Sequence, residues 1–486
     1  MKCIKDQDTT RSSEILKAKD QIIATYVWHG PKGNNTDFKQ VGWVWTAILM
    51  MKAQIGLGVL SIPKAFDTLG MIPGLIVVCL VGAITTWSDY TVGVFKVKHR
   101  EVYSIDEAMG KIYGRAGKEI AGAIFVLYWI FVAGSGMLGL SIGFNAVTEH
   151  STCTAVFTAV AAIIGFGCGS IQTLDRVSWL ATIGLFCIMS AIFTVTVAVG
   201  IQDRPAAAPL TLDPFVSDWK LFASPNFPEA MTAVSSIVFA FSGTPAFFPI
   251  IAEMRDKKKA TRSILACQSL VTATYVAIGC VVYYFCGSYV SSPALGSAGL
   301  LLKRVAYGLA LPGLSVSTLL FVHVSSYTPL HNLTFHADKI QFPAKHLFVR
   351  KFRGTKHLAG NTVTHWVGWL GCTFTITLVA YIVANAIPVF NSLVSLVGAL
   401  LGTLMCFQPM GIMWLHDNQK SKDEMRKAGW RWIFMAAFSI FVIVAGTFIM
   451  VSGTYGTVLG IIAEYKSTGG TKPWSCADNS NSAGGH

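Results

Sequence analysis

The sequence predicts an all-α integral membrane protein with about eleven transmembrane helices, and three observations lead there. Its 486 residues are 53% hydrophobic and only 13% charged. The apolar residues gather in repeated runs of about 20, the length at which an α-helix crosses a bilayer core. Lysine and arginine concentrate in alternate connections between those runs, the pattern that short cytoplasmic loops leave in a polytopic chain.

Taken in order, residues 1–42 form a polar cytoplasmic tail with no apolar core, so the first span rather than a cleaved leader directs the chain to the membrane. Spans follow at 43–66, 70–95, 119–146, 153–170 and 178–200, a first five-helix repeat over 43–200. Within it, Ile105, Met109, Ile112 and Tyr113 recur at helical spacing among polar residues, which predicts a short amphipathic helix on the inner surface. An extracellular loop rich in Pro, Ala and Asp, 201–228, leads to a second repeat over 229–416. Its spans lie at 229–252, 263–286, 304–330, 364–387 and 390–416. Residues 417–466 hold an inner loop and the eleventh span at 431–455, and the Gly-, Ser- and Asn-rich residues 467–486 read as a disordered outer tail.

With the N-terminus in the cytoplasm, thirty of the 38 basic residues fall on inner segments and seven on outer ones, which puts the C-terminus outside. The net charge of +13 then requires no nucleic-acid partner, because runs such as Lys257-Lys258-Lys259 face anionic lipid at the inner surface. Cysteine usage excludes a disulfide scaffold, since most of the eleven lie within spans, and no Cys-x-x-Cys metal spacing occurs. Cys153, Cys286 and Cys476 lie near the outer face, where a disulfide among them is open. An enzyme would need His, Asp or Cys clustered at one depth, and a channel a continuous polar stripe; the spans show neither.

Two spans are interrupted. In the first, Gln54-Ile55-Gly56-Leu57-Gly58-Val59-Leu60-Ser61-Ile62-Pro63 sets two glycines and a proline into an apolar run, and each disfavours a continuous helix. In the sixth, Phe239-Ala240-Phe241-Ser242-Gly243-Thr244-Pro245 does the same five helices later. Backbone groups freed at membrane depth must face protein or a water-filled cavity. Two broken helices in corresponding positions of two repeats point to an inverted-repeat transporter with a midplane site. Half-helix N-termini offer amides to an anion and C-terminal ends offer carbonyls to a cation, so one such site suits a zwitterion, as an amino acid is.

The strings QIGLGVLSIPKAFDTLG and FAFSGTPAFFPIIAEMRD, with the eleven-helix layout, resemble the amino acid/auxin permease family of the amino acid–polyamine–cation superfamily, and within it the fungal neutral amino acid permeases. The resemblance implies a LeuT-type 5+5 inverted repeat plus one extra helix. It also implies secondary transport of amino acids, driven by a proton gradient and needing no cofactor. Carried over by residue, the substrate carboxylate would meet the amides of Gly56, Leu57 and Gly58, and the ammonium the carbonyls of Ile55, Ala240 and Phe241. Ser242, Gly243 and Thr244 would complete the substrate-binding break, with hydroxyl contacts from the first and last. Val132, Ala133, Ser135, Gly136 and Phe239 would line the side-chain pocket, although the glycines around Gly136 also suit close helix packing.

Lys52, one turn before Gly56, is a charged residue inside a span and therefore a functional candidate. In the LeuT-like layout it borders the sodium position, where Ser325, Ser326 and Thr328 would face it and its protonation would replace the ion. A lysine snorkelling to the inner headgroups is the plainer alternative. The expected pocket holds no acidic side chain, and Phe239, Phe241 and Phe247 suggest large neutral substrates. A non-transporting amino acid sensor with the same fold shares every one of these features. The plasma membrane is the expected location and the vacuolar membrane the alternative, since both present the same cytosolic side.

Overall fold

The computed structural model describes residues 42–170, 174–205, 207–209, 215–324, 363–420, 429–466 and 472–480. Every regular element among them is helical. The first expected span is two pieces, Trp43–Gln54 (α1) and Ile62–Leu69 (α2), joined by a 3₁₀ turn at Gly58–Ser61. Pro63 sits in the first turn of α2, where its missing N–H is no loss. Gly70 closes α2 with φ +90°, a conformation that favours glycine, and Met71–Lys98 (α3) follows.

Ile105–Thr148 (α4) spans 44 residues but changes direction at Gly114, φ +69°. The portion before that kink is the expected amphipathic helix: Ile105 and Met109 are buried, whereas Tyr113 is exposed rather than on the apolar face. Thr154–Gly169 (α5) and Leu174–Ile201 (α6) complete the first half. The sixth expected span is again two pieces, Phe227–Ala240 (α7) and Phe247–Ala252 (α8), with a 3₁₀ turn at Thr244–Ala246. A capping box starts α7: the Asn226 side chain accepts from the Glu229 amide (3.0 Å) and Glu229 accepts from the Asn226 amide (3.2 Å).

The remaining helices are Ala260–Cys286 (α9), Leu300–Val324 (α10), Val363–Ala386 (α11), Phe390–Leu396 (α12), Thr403–Cys406 (α13), Gln408–Asp417 (α14) and Trp430–Lys466 (α15). A π-helical stretch, Val397–Gly402, joins α12 to α13. Each expected span falls on helix where it is described, residues 325–330 of the eighth lying outside the described residues, but length and composition qualify eight among those described. The count is nine when the pair bent by 47° at the first break is taken as one span, so eleven is not reached. Thr154–Gly167 is apolar but short.

Helices α1, α2, α3, α7, α8 and α9 pack as one group, with α9 laid along α1, α2 and α3. Helices α4, α5, α6, α10 and α11 form the other, with α10 against α6 and α4. The connection before α7 docks on the first group through its residues 218–223. The carbonyls of Lys220 and Leu221 accept from the Met71 and Ile72 amides (both 3.0 Å), satisfying donors that the start of α3 cannot pair internally. Asp218 accepts from the Ser288 amide (2.8 Å) and hydroxyl (2.7 Å).

Cys153 is bonded to Cys476, with Cα atoms 4.4 Å apart, and Cys286 is a buried free thiol. Composition suggests disorder for the tail, yet residues 472–480 are tied down. Thr154 donates to the Ala477 carbonyl and Asn145 to Asn479 (each 2.7 Å), Lys303 donates to the Ser480 carbonyl, and the Trp474 ring packs edge-on against Tyr381. The covalent tie, which composition does not register, holds polar residues that could not order by burial alone.

Candidate substrate site between two broken helices

The two breaks face one another. A Cβ placed on Gly58 would collide with the backbone of Ala240 and come within 2.9 Å of its Cβ, and one on Gly243 would collide with the Gln54 side chain. Glycine at 58 and 243 is therefore what lets the breaks touch. Gly56 differs, since its Cβ would meet only the Ser317 hydroxyl, at 3.5 Å.

Between the breaks lies a small cavity of about 20 Å³, room for roughly one water molecule. Its walls include Gly56, Leu57 and Gly58 from the first break, Phe239, Ser242 and Gly243 from the second, and Val132 from α4. Of the other expected residues, Ile55, Ala240, Phe241 and Thr244 lie in the breaks but not on this wall, nor do Ala133, Ser135 and Gly136. Ser135 donates to the Phe131 carbonyl (3.0 Å), and a Cβ on Gly136 would come within 2.6 Å of the Thr318 hydroxyl. Gly136 is thus a packing glycine. Sequence reasoning missed Ala53, Gln54, Tyr128, Trp129 and Phe321, which complete the wall. Tyr128 precedes Val132 by one helical turn, so helical periodicity on α4 could have found it. Trp129 and Phe321 stack with ring centres 5.8 Å apart.

Backbone groups at the breaks divide into free and occupied. The amides of Gly56, Leu57 and Gly58 have no hydrogen-bond partner among the described residues. The carbonyls assigned to an ammonium are partly taken: Ala240 O accepts from the Tyr275 hydroxyl (2.8 Å) and Phe241 O from the Gly243 amide (2.9 Å). The Tyr128 hydroxyl donates to Ser242 O, and the Ser242 hydroxyl turns back to Val238 O (2.7 Å). Phe241 O also accepts from the Gln54 side-chain amide (3.5 Å), whereas Ala240 O and Ser242 O each keep a second lone pair.

Lys52 does not snorkel: it is buried, its ammonium 2.6 Å from the Ser317 hydroxyl and 3.4 Å from Gly313 O, both on α10. Its stem passes α6, where a Cβ on Gly184 would come within 3.3 Å of Lys52 Cε. The expected partners Ser325, Ser326 and Thr328 lie outside the described residues. Among those described, no group of three or more His, Cys, Asp or Glu side chains is placed to hold a metal ion.

Comparison with known proteins follows this geometry. The family model described as transmembrane amino acid transporter protein matches residues 39–459. The chain is 33% identical over 458 residues to a protein of Fusarium pseudograminearum named transmembrane transporter, covering 92% of this chain and 89% of that one. It is 32% identical over 442 residues to the N amino acid transport system protein of Neurospora crassa, covering 90% and 89%. Among solved structures it is similar to MhsT in complex with L-phenylalanine, a LeuT-fold transporter, with TM-score 0.54 and 13% identity over 87% of this chain and 100% of that one. That likeness speaks to the fold alone. With matches that run nearly its whole length, the chain belongs to the transmembrane amino acid transporter family and is a multi-pass membrane transporter rather than an enzyme.

Proposed function

We propose that the chain imports neutral amino acids by alternating access, as a proton symporter of the plasma membrane with its N-terminus in the cytoplasm. The observation that carries this reading is the set of unpartnered amides at Gly56, Leu57 and Gly58, opening on a cavity whose wall bears no charged side chain. Three amides suit a carboxylate, and the free lone pairs on the opposite break suit an ammonium. A pocket wall of Tyr128, Trp129, Phe239 and Phe321 without a carboxylate favours an uncharged, bulky substrate side chain. The cavity is far smaller than an amino acid, so the two helix groups must separate to load it. This is the rocking that alternating access requires.

Lys52 supports proton coupling. Its ammonium fills the space between α1, α6 and α10 with a fixed charge whose only neutralisation is loss of a proton. The Cys153–Cys476 bond supports the orientation, because it joins two predicted outer segments and disulfides persist in oxidising compartments. The test is uptake of radiolabelled neutral amino acids into vesicles holding the purified chain, with and without an inward proton gradient. Saturable accumulation that collapses with the gradient supports the reading; binding without accumulation overturns it.

A further inference from the structure

A second buried ionisable group lies apart from the cavity wall and from Lys52. Asp89, on α3, is fully buried. One carboxyl oxygen accepts from the Gln268 side-chain amide of α9, and the other has no partner. Two more orphans meet it: the Gln268 side-chain carbonyl and the Thr244 hydroxyl, the latter facing the carboxyl from the break between α7 and α8. Three elements therefore bring unsatisfied polar atoms to one buried point, and of these the Thr244 hydroxyl carries a proton to donate.

A carboxylate only accepts hydrogen bonds, whereas a carboxylic acid also donates one. The Thr244 hydroxyl can donate to the free oxygen of an ionised Asp89, and a proton on that carboxyl removes the charge that strengthens this bond. No ion pair among the described residues involves Asp89. The titratable side chains facing it from packed elements are Cys267 on α9 and Cys406 on α13. Neither is a cation.

Resting on the transport reading, we propose that Asp89 is a proton-binding site whose ionised form ties Thr244, and with it the second break, to α3. Proton release from Asp89 then holds the break in the closed arrangement, and proton uptake frees it to move. The site is separate from Lys52, so the chain carries two protonatable positions, one against each break.

Infrared difference spectra of the purified full chain, taken across a pH series, test proton binding without reference to transport. The expected result is a protonated-carboxyl band that titrates in the wild type and is missing in Asp89→Asn. The band moves in frequency in Thr244→Val, which removes the partner but keeps the acid. Identical spectra for wild type and Asp89→Asn overturn the proposal, as does a band unmoved in Thr244→Val. In vesicles, Asp89→Asn is expected to keep amino acid counterflow while losing about tenfold or more of gradient-driven accumulation, a typical coupling magnitude; Asp89→Glu restores part of it. Full accumulation by Asp89→Asn, with an unchanged pH profile, overturns the coupling role. A wild type that takes up no amino acid but shows the titrating band would sink the transport reading while leaving the proton site standing.

Discussion

The Tyr275 hydroxyl lies 3.1 Å from the carbonyl oxygen of Gln54, the last residue before the first break. The same hydroxyl lies 2.8 Å from Ala240 O, the last helical residue before the second. A phenol has one proton, so it can donate fully to only one of these carbonyls at a time. Tyr275→Phe is therefore expected to leave a buried carbonyl unsatisfied and cost about 1–3 kcal/mol. The loss is read as a lower melting temperature in detergent, with a changed rate of substrate exchange in vesicles. An unchanged melting temperature would show that the hydroxyl does not hold the breaks.

Gly58 and Gly56 separate contact from ligand access. Alanine at 58 must displace the Ala240 backbone, an overpacking that costs about 1–3 kcal/mol. Alanine at 56 makes an ordinary contact with Ser317. The expected outcome is a poorly folded Gly58→Ala and a well-folded Gly56→Ala with a raised KM, measured by fluorescence-detected size exclusion and by uptake. Equal yield and uptake in both variants contradicts the close approach of the two breaks.

Replacing Lys52 by methionine removes a buried charge and keeps most of the apolar stem, a change that cores often tolerate. Ser317 retains its own bond to Gly313 O (3.0 Å). Lys52→Met is expected to fold and to exchange substrate, yet to lose about tenfold or more of gradient-driven accumulation. Accumulation equal to the wild type removes Lys52 from the coupling step.

The connection before α7 has an acid limit set by Asp218. Partial burial alone would raise its carboxyl, but the hydrogen bonds from the Ser288 hydroxyl and amide, with Lys220 nearby, hold it below the ordinary value. A carboxyl depressed in the folded state adds stability that is present above its unfolded pKa, near about 4. That stability is lost as pH falls through the folded value. The loop should remain docked across the mildly acidic range and detach only below about pH 4. Hydrogen exchange at residues 217–223 checks this, with Asp218→Asn expected to exchange faster at neutral pH and to show a flattened pH profile.

The breaks were legible because glycine and proline act locally: Gly56, Gly58, Pro63, Gly243 and Pro245 limit helix wherever they stand. The amphipathic turn before Gly114 was legible from spacing for the same reason. What escaped was every partner chosen across the fold. Ser317 against Lys52, Tyr275 against both breaks and Tyr128 against Ser242 are contacts between residues 35 to 265 positions apart, and periodicity carries no information about which faces meet. The role of Gly58 also shifted. A glycine in a broken helix permits ligand approach or helix approach equally well, and only the position of Ala240 decides that it does the latter.

The bridge from Cys153 to Cys476 has a meaning for how the chain is made. The second thiol is synthesised 323 residues after the first, roughly half a minute at ordinary translation rates. During that interval the junction of α4 and α5 waits with an open thiol. The bond closes only once α15 has been made and the segment after it has reached that junction. Its presence thus requires the last helix to end on the same face as the start of α5.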